Sequence, residues 1–205
     1  MNRELIRQAR GEEPADLVFK NCKVINVFTK TIETEDIAIS HGVILGTGTY
    51  FGKTEIDCSG FFVSPGFIDG HCHIESSMTT PGEYARLVIP NGTTSVIADC
   101  HEIANVCGIH GIEYMIEAAK RTPLDVFMMI PSCVPATQFE TSGATLDAET
   151  LKSFKNHYHV IGLGEMMNYP GVIEVDKGVH DKLDTYQEMF IDGHAPSVFG
   201  KDLNA

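Results

Sequence analysis

His71-Cys72-His73 is the first stretch of this sequence with the residue types to do chemistry. The pair closes an apolar run, PGFIDG, that reads as a strand ending in the turn-prone dipeptide Asp69-Gly70. Residues i and i+2 of a strand face the same way, so both imidazoles aim at one point just past its carboxyl end. Imidazole suits zinc, iron and manganese. Three other runs finish alike: VIGLGE on Glu165, MFIDGH on His194, and a strand ending at Asp99-Cys100 that leads into His101-Glu102. Taken singly, each has a plain alternative, a solvated polar residue in a loop. Gly162 and Gly164 beside Glu165 predict room there for a ligand or ion. Four strand ends bearing His or Glu predict a shared metal site, because parallel strand–helix folds gather those ends around one cavity. Such a site activates water: a divalent ion draws the pKa of water from about 15.7 towards about 7. A carboxylate then carries the proton to a leaving nitrogen, while metal or histidine steadies the tetrahedral intermediate.

The elements that must position these residues fall into two regions. Residues 4–10 predict a short helix before Gly11. From Asp16 to Phe62 short β-rich runs follow, LVF (17–19), KVINVFT (23–29), DIAIS (36–40) and VILGTG (43–48), broken by Asn21 and the His41-Gly42 pair. Residues 1–62 therefore predict a small β-rich, sandwich-like domain without chemistry of its own. Residues 63–205 alternate strand and helix. The predicted strands are 62–73, 93–100, 124–132, 159–165 and 188–194. Thr80-Pro81-Gly82-Glu83 predicts a capping box with Pro at the first helical position. Ile109, Ile112, Met115, Ile116 and Ala119 make a helical stripe, and Asp147 caps a helix bearing Leu151 and Phe154. Alternation of this kind implies βαβ units and a parallel sheet. A complete eight-fold barrel takes ~250 residues, against roughly 140 available here. The expectation is an incomplete (β/α) barrel, cut after about five strands.

Composition narrows the classes. A net charge of −13 and a pI near 5 argue against nucleic acid as a partner, since phosphate binding needs a basic surface. No apolar run approaches the ~20 residues that span a bilayer. Six cysteines, at 22, 58, 72, 100, 107 and 133, form no C-x-x-C, and the amino terminus lacks a signal-peptide apolar stretch. Reduced thiols in a cytoplasmic protein are expected.

The segments PGFIDGHCHIESSM (65–78), IPNGTTSVIADCHEIANVCG (89–108), GLGEMMNYPGV (162–172) and IDGHAPSVFGKDLNA (191–205) resemble successive motifs of bacterial and archaeal adenine deaminases, a family of the amidohydrolase superfamily. The resemblance covers nearly the whole chain. HIESSM, HEIANV and GLGEMMN are specific to that family; H-x-H alone indicates only the superfamily. It implies the N-terminal part of a TIM-type (β/α)8 amidohydrolase barrel holding two divalent ions: manganese first, iron or zinc as alternatives. It implies adenine as small-molecule substrate, with hydrolysis to hypoxanthine and ammonia, and it allows a homo-oligomer. Carried over residue by residue, His71, His73, Glu165 and His194 are metal ligands, Glu165 bridging the ions. Asp99, His101 and Glu102 are catalytic, polarising substrate and handling protons. Glu75, Ser76 and Ser77 line the purine pocket.

Two departures lie close to these residues. Cys100 stands where the family usually has proline, and Ser197-Val198-Phe199 replace a usual Gly-Leu-Ser. The resemblance also implies another histidine ligand and a metal-binding aspartate that acts as general base, both from later strands; without them the 205 residues alone are expected to be inactive. Two other readings stay open: a cyclic-amide hydrolase of the dihydroorotase or hydantoinase kind, which typically uses a modified lysine where Glu165 stands, and a non-catalytic truncated remnant. A zinc deaminase of the H-x-E…P-C-x-x-C kind is excluded, since no P-C-x-x-C follows His73-Ile74-Glu75.

Overall fold

The computed structural model describes residues 3–137 and 139–205, which form two compact units dividing after Pro65. In the first, helix α1 (Arg3–Ala9) precedes strands β1 (Ala15–Asn26), β2 (Thr31–Ser40), β3 (Val43–Gly48), β4 (Gly52–Asp57) and β5 (Phe62–Val63). They form one sheet in the order β3-β2-β1-β4, with β5 also on β1, rather than the expected sandwich-like arrangement. The reason is the length of β1. Its 12 residues pair antiparallel with β2 along one edge, and the other edge takes β4 and then β5, both parallel. The predicted run 17–19 and the first part of 23–29, to Asn26, are thus a single strand, interrupted where the register slips between Phe19 and Cys22 and Asn21 adopts φ 58°; residues 27–29 lie in the following turn. His41 and Gly42, with φ of 52° and 74°, make the two-residue link between β2 and β3; turns with both central residues at positive φ match the twist of a hairpin.

Asp36 holds this bulge. Its buried carboxylate accepts the Lys20 ammonium and the backbone N–H groups of Asn21 (3.0 Å) and Tyr50 (3.1 Å). Burial pushes the Asp36 carboxyl up, but Lys20 and the two amides outweigh it, and the net shift is downward.

The second unit contains β6 (Phe67–Cys72), β7 (Thr93–Asp99), β8 (Asp125–Ile130), β9 (Val160–Met166) and β10 (Phe190–Gly193), all parallel, in the order β10-β9-β8-β7-β6. Neighbours in sequence are neighbours in space, as in a barrel wall. The predicted strand 62–73 is two strands in two sheets: Phe62 and Val63 pair with β1, and β6 starts after Pro65, which has no N–H for a ladder. The connections are α2 (Pro81–Val88), α3 (His101–Cys107), α4 (Ile109–Ala119), α5 (Ala148–Lys152), α6 (Tyr169–Ile173) and α7 (Lys177–Tyr186).

Asp147 caps α5 as predicted, accepting Thr150 N–H at 2.9 Å. Thr80 does not complete a capping box. It precedes α2 without a side-chain bond, and Glu83 turns one helical turn onward to Arg86. The core lies between the central strands and their helices: Val96, Ala98, Val126, Met128, Ile130 and Leu163 pack with Ile112, Met115, Leu151 and Tyr186. Each large apolar side chain so buried stabilises by about 1.5–3 kcal/mol. The outer strands β6 and β10 leave Phe67, Ile68 and Phe190 exposed. All six cysteines are free thiols, and among the described residues no helix is long and apolar enough to cross a membrane.

Candidate metal centre

The carboxyl ends of β6, β7 and β9 bring together most of the residues expected to do chemistry. His71 is the penultimate residue of β6 and His73 lies one step beyond the strand. Their Nε2 atoms are 3.0 Å apart. Glu165, penultimate in β9, places Oε1 3.0 Å from His71 Nε2 and Oε2 3.8 Å from His73 Nε2. Nδ1 of His73 faces the Asp99 carbonyl at 2.9 Å and Glu102 Oε2 at 3.2 Å. The Asp99 carbonyl can only accept, so on the neutral ring Nδ1 carries the proton and Nε2 offers a lone pair.

The strand-two residues form an adjoining group. Asp99 ends β7, nearly fully buried, and its Oδ2 accepts the Glu165 N–H at 2.8 Å. His101 and Glu102 open α3. His101 Nδ1 lies 3.4 Å from Asp99 Oδ2 and 3.8 Å from Glu165 Oε2. Burial opposes a charge on His101, but Asp99, Glu102 and Glu165 outweigh it and raise the imidazole to about 8. Burial likewise works to raise Glu102, but the Ser76 hydroxyl, 2.7 Å from its Oε1, and the imidazoles of His101 and His73 hold it below the usual range.

The other expected residues are less central. Glu75, half-buried and raised by that partial burial, accepts the Ile103 N–H at 3.3 Å. Ser76 is committed to Glu102, and Ser77 is exposed. His194, just past β10 and 60% exposed, lies 3.8 Å from Glu165 Oε1. It belongs to none of the tight donor groups, which are His71-His73-Glu165, His73-His101-Glu102 and Asp99-His101-Glu165, each with ligand atoms within 4.8 Å of one another.

The glycines around Glu165 serve a purpose other than the expected one. A Cβ on Gly162 would meet the Phe190 carbonyl oxygen at 2.1 Å, and one on Gly164 would meet Asp99 Oδ2 at 2.2 Å. They admit the neighbouring strand and the Asp99 carboxylate rather than a ligand. Cys100, the departure from the family pattern, is fully buried at the start of α3. Sequence reasoning missed Asp192 of β10, whose Oδ2 is 3.0 Å from His71 Nδ1. The signal was present: FIDGH occurs at both 67–71 and 190–194.

This donor set fits a divalent cation. Three carboxylates and three imidazoles converge, and among the described residues no lysine or arginine pairs with any of them. Asp99 Oδ1, His101 Nδ1 and Glu102 Oε2 are buried without hydrogen-bond partners. Buried charges are ordinarily paired or bound to metal, because desolvating them alone costs too much.

A sequence profile of the amidohydrolase family matches residues 62–201. The adenine deaminase of Clostridium acetobutylicum is 57% identical over 205 residues, which cover 98% of this chain and 36% of that protein. Adenine deaminase 2 of Carboxydothermus hydrogenoformans is 51% identical over 203 residues, covering 99% and 36%. The chain thus spans little more than a third of the length of these curated relatives. Among solved structures, zinc-complexed N-acyl-D-glutamate deacylase from Bordetella bronchiseptica aligns with a TM-score of 0.57 at 15% identity, covering 86% of this chain and 44% of that one. Zinc-complexed atrazine chlorohydrolase from Arthrobacter aurescens aligns with a TM-score of 0.53 at 18% identity, covering 72% and 46%. These two likenesses concern the fold alone.

Proposed function

The chain belongs to the amidohydrolase family, and on that premise we propose that its 205 residues supply the first five strands and most of the metal ligands of a barrel that hydrolyses adenine to hypoxanthine and ammonia. The observation that carries this reading is the meeting of His71 Nε2, His73 Nε2 and the Glu165 carboxylate, in a chain about half identical to adenine deaminases. His71, His73, Glu165 and His194 would hold the metal, with manganese favoured over iron or zinc by the resemblance. Two ions are supported by the divergence of the Glu165 oxygens: Oε1 faces His71 and His194, Oε2 faces His73 and His101. A bound divalent ion would supply Lewis acidity and lower the pKa of a nearby water.

The protein's own groups have separable tasks in this reading. Asp99 fixes the Glu165 backbone through its N–H and keeps His101 oriented. Glu102 holds and returns a proton at Oε2, the oxygen without a hydrogen-bond partner, while Ser76 anchors Oε1. His101 polarises the purine.

The test replaces the matching segment of the Clostridium acetobutylicum relative with these 205 residues and follows ammonia release with added Mn2+. Adenine should be turned over and dihydroorotate left untouched; the reverse preference overturns the substrate assignment. The 205 residues alone should give no ammonia above buffer, and robust release from them would refute their dependence on ligands and a base supplied by further strands.

A further inference from the structure

The two FIDGH copies differ in what their aspartates do. In each, strand pairing shifts register around the aspartate: between Asp69 and Cys72 on β6, and between Ile191 and Gly193 on β10. Asp69 turns inward on its own strand, its Oδ1 accepting the His71 backbone N–H at 3.1 Å. Asp192 reaches across 121 residues of sequence to His71 Nδ1, and its other oxygen is held by the Gly193 N–H at 2.8 Å. β6 and β10 stand at opposite ends of the strand order. This side-chain contact therefore joins the two edge strands of the second sheet.

We propose that Asp192 is a positioning residue for the metal centre: by accepting the Nδ1 proton of His71 it holds the ring with its Nε2 lone pair toward Glu165 and His73. A carboxylate only accepts, and a neutral imidazole has one N–H; donating Nδ1–H to Asp192 leaves Nε2 free to ligate. A carboxylate behind a ligating histidine fixes its tautomer and ring orientation, and loss of such a partner typically costs about 10–100-fold in metal affinity. His73 achieves the same orientation with the Asp99 carbonyl. The two ligands are thus held differently, one by a neutral backbone oxygen of the adjoining strand and one by a charged side chain from the far edge. Asp192 touches no reacting atom and acts through His71. The inference rests on the metal reading above.

The experiment titrates the 205-residue chain with Zn2+ against a chelator of known affinity and reads the His71 tautomer by 15N–1H NMR in the Zn2+-loaded state. Wild type should bind Zn2+ with His71 protonated at Nδ1. Asp192→Ala should bind about 10–100-fold more weakly, with its unfolding midpoint unchanged, because the side chain is 44% exposed. Asp192→Asn, whose amide oxygen still accepts Nδ1–H, should recover most of the affinity. Three outcomes overturn the assignment: D192A binding within twofold of wild type while His71→Ala loses Zn2+; a loaded His71 ligating through Nδ1; or D192N as impaired as D192A. Wild type and H71A binding equally weakly would instead sink the metal reading itself, and this inference with it.

Discussion

Asp36 within β2 of the first unit and Asp99 at the end of β7 in the second are both buried carboxylates, yet their surroundings are opposite. Asp36 has an ammonium and two backbone amides, so its oxygens are accounted for. Asp99 has one amide on Oδ2, nothing on Oδ1, and as charged neighbours two more carboxylates and a set of imidazoles. The first is a structural fastening, whose charge is balanced within the fold. The second belongs to a cluster whose negative charge the chain leaves unbalanced, and such a cluster is costly unless something from outside completes it. The shortfall of internal cations among the described residues, one imidazole raised to about 8 against three carboxylates, separates the two more than the presence of acids does.

This contrast is breakable. The largest effect should come from Asp36→Ala, which leaves two backbone amides without their acceptor and takes from the Lys20 ammonium its ion-pair partner, leaving it only the Tyr50 carbonyl. We expect a loss of about 3–5 kcal/mol in urea unfolding at pH 7. Because the folded Asp36 carboxyl is held below its ordinary value, its stabilisation is present above the unfolded value near ~3.9 and disappears as pH falls through the lower folded one. Wild-type stability should therefore decline on acidification in that window, and the variant should lose less there; equal slopes would remove Asp36 from the account.

Glu165→Gln should do the reverse. It should weaken Zn2+ or Mn2+ binding by about 100-fold or more, beyond what an outer partner contributes, while leaving metal-free stability within about 1 kcal/mol, since one negative charge leaves a like-charged cluster. A large loss of metal-free stability would show the carboxylate to be structural after all. Excess Mn2+ should raise the unfolding midpoint of wild type only.

Gly164→Ala sharpens the picture of how Asp99 is held. Its Cβ would meet Asp99 Oδ2 at 2.2 Å, so about 1–3 kcal/mol should be lost through overpacking, together with weakened metal binding; thermal melts and chelator competition report the two separately. The smallest effect belongs to Ser197, which holds φ 65° where the resemblance implies glycine. Ser197→Gly should stabilise by less than about 1 kcal/mol, the left-handed strain relieved being partly offset by glycine's entropy; destabilisation would mean that the serine side chain contributes a contact.

Much of this was readable from the chain in order. Local rules sufficed for the His41-Gly42 hairpin, the Asp147 cap and the stripe on α4. The period of two placed His71 and His73 on one face, and the apolar runs before Glu165 and His101 announced strand ends. β4 was missed because GKTEID is polar; it is a strand only because β1 lies parallel beside it. The sandwich-like expectation failed for the same reason, since a sequence does not state how many partners one long strand will take.

At the site, residue types and spacings determined which side chains ended up at strand ends, because strand geometry is local. They did not determine what faced them. That Gly164 makes way for Asp99, that Glu75 and Ser76 tie down the start of α3, and that Asp192 rather than His194 makes the close contact to His71 were decided by strand order and register. Those contacts join residues tens to more than a hundred positions apart, and the hydrogen bonds that select a ring nitrogen or leave an oxygen unpaired exist only once the sheet has brought them within 3 to 4 Å.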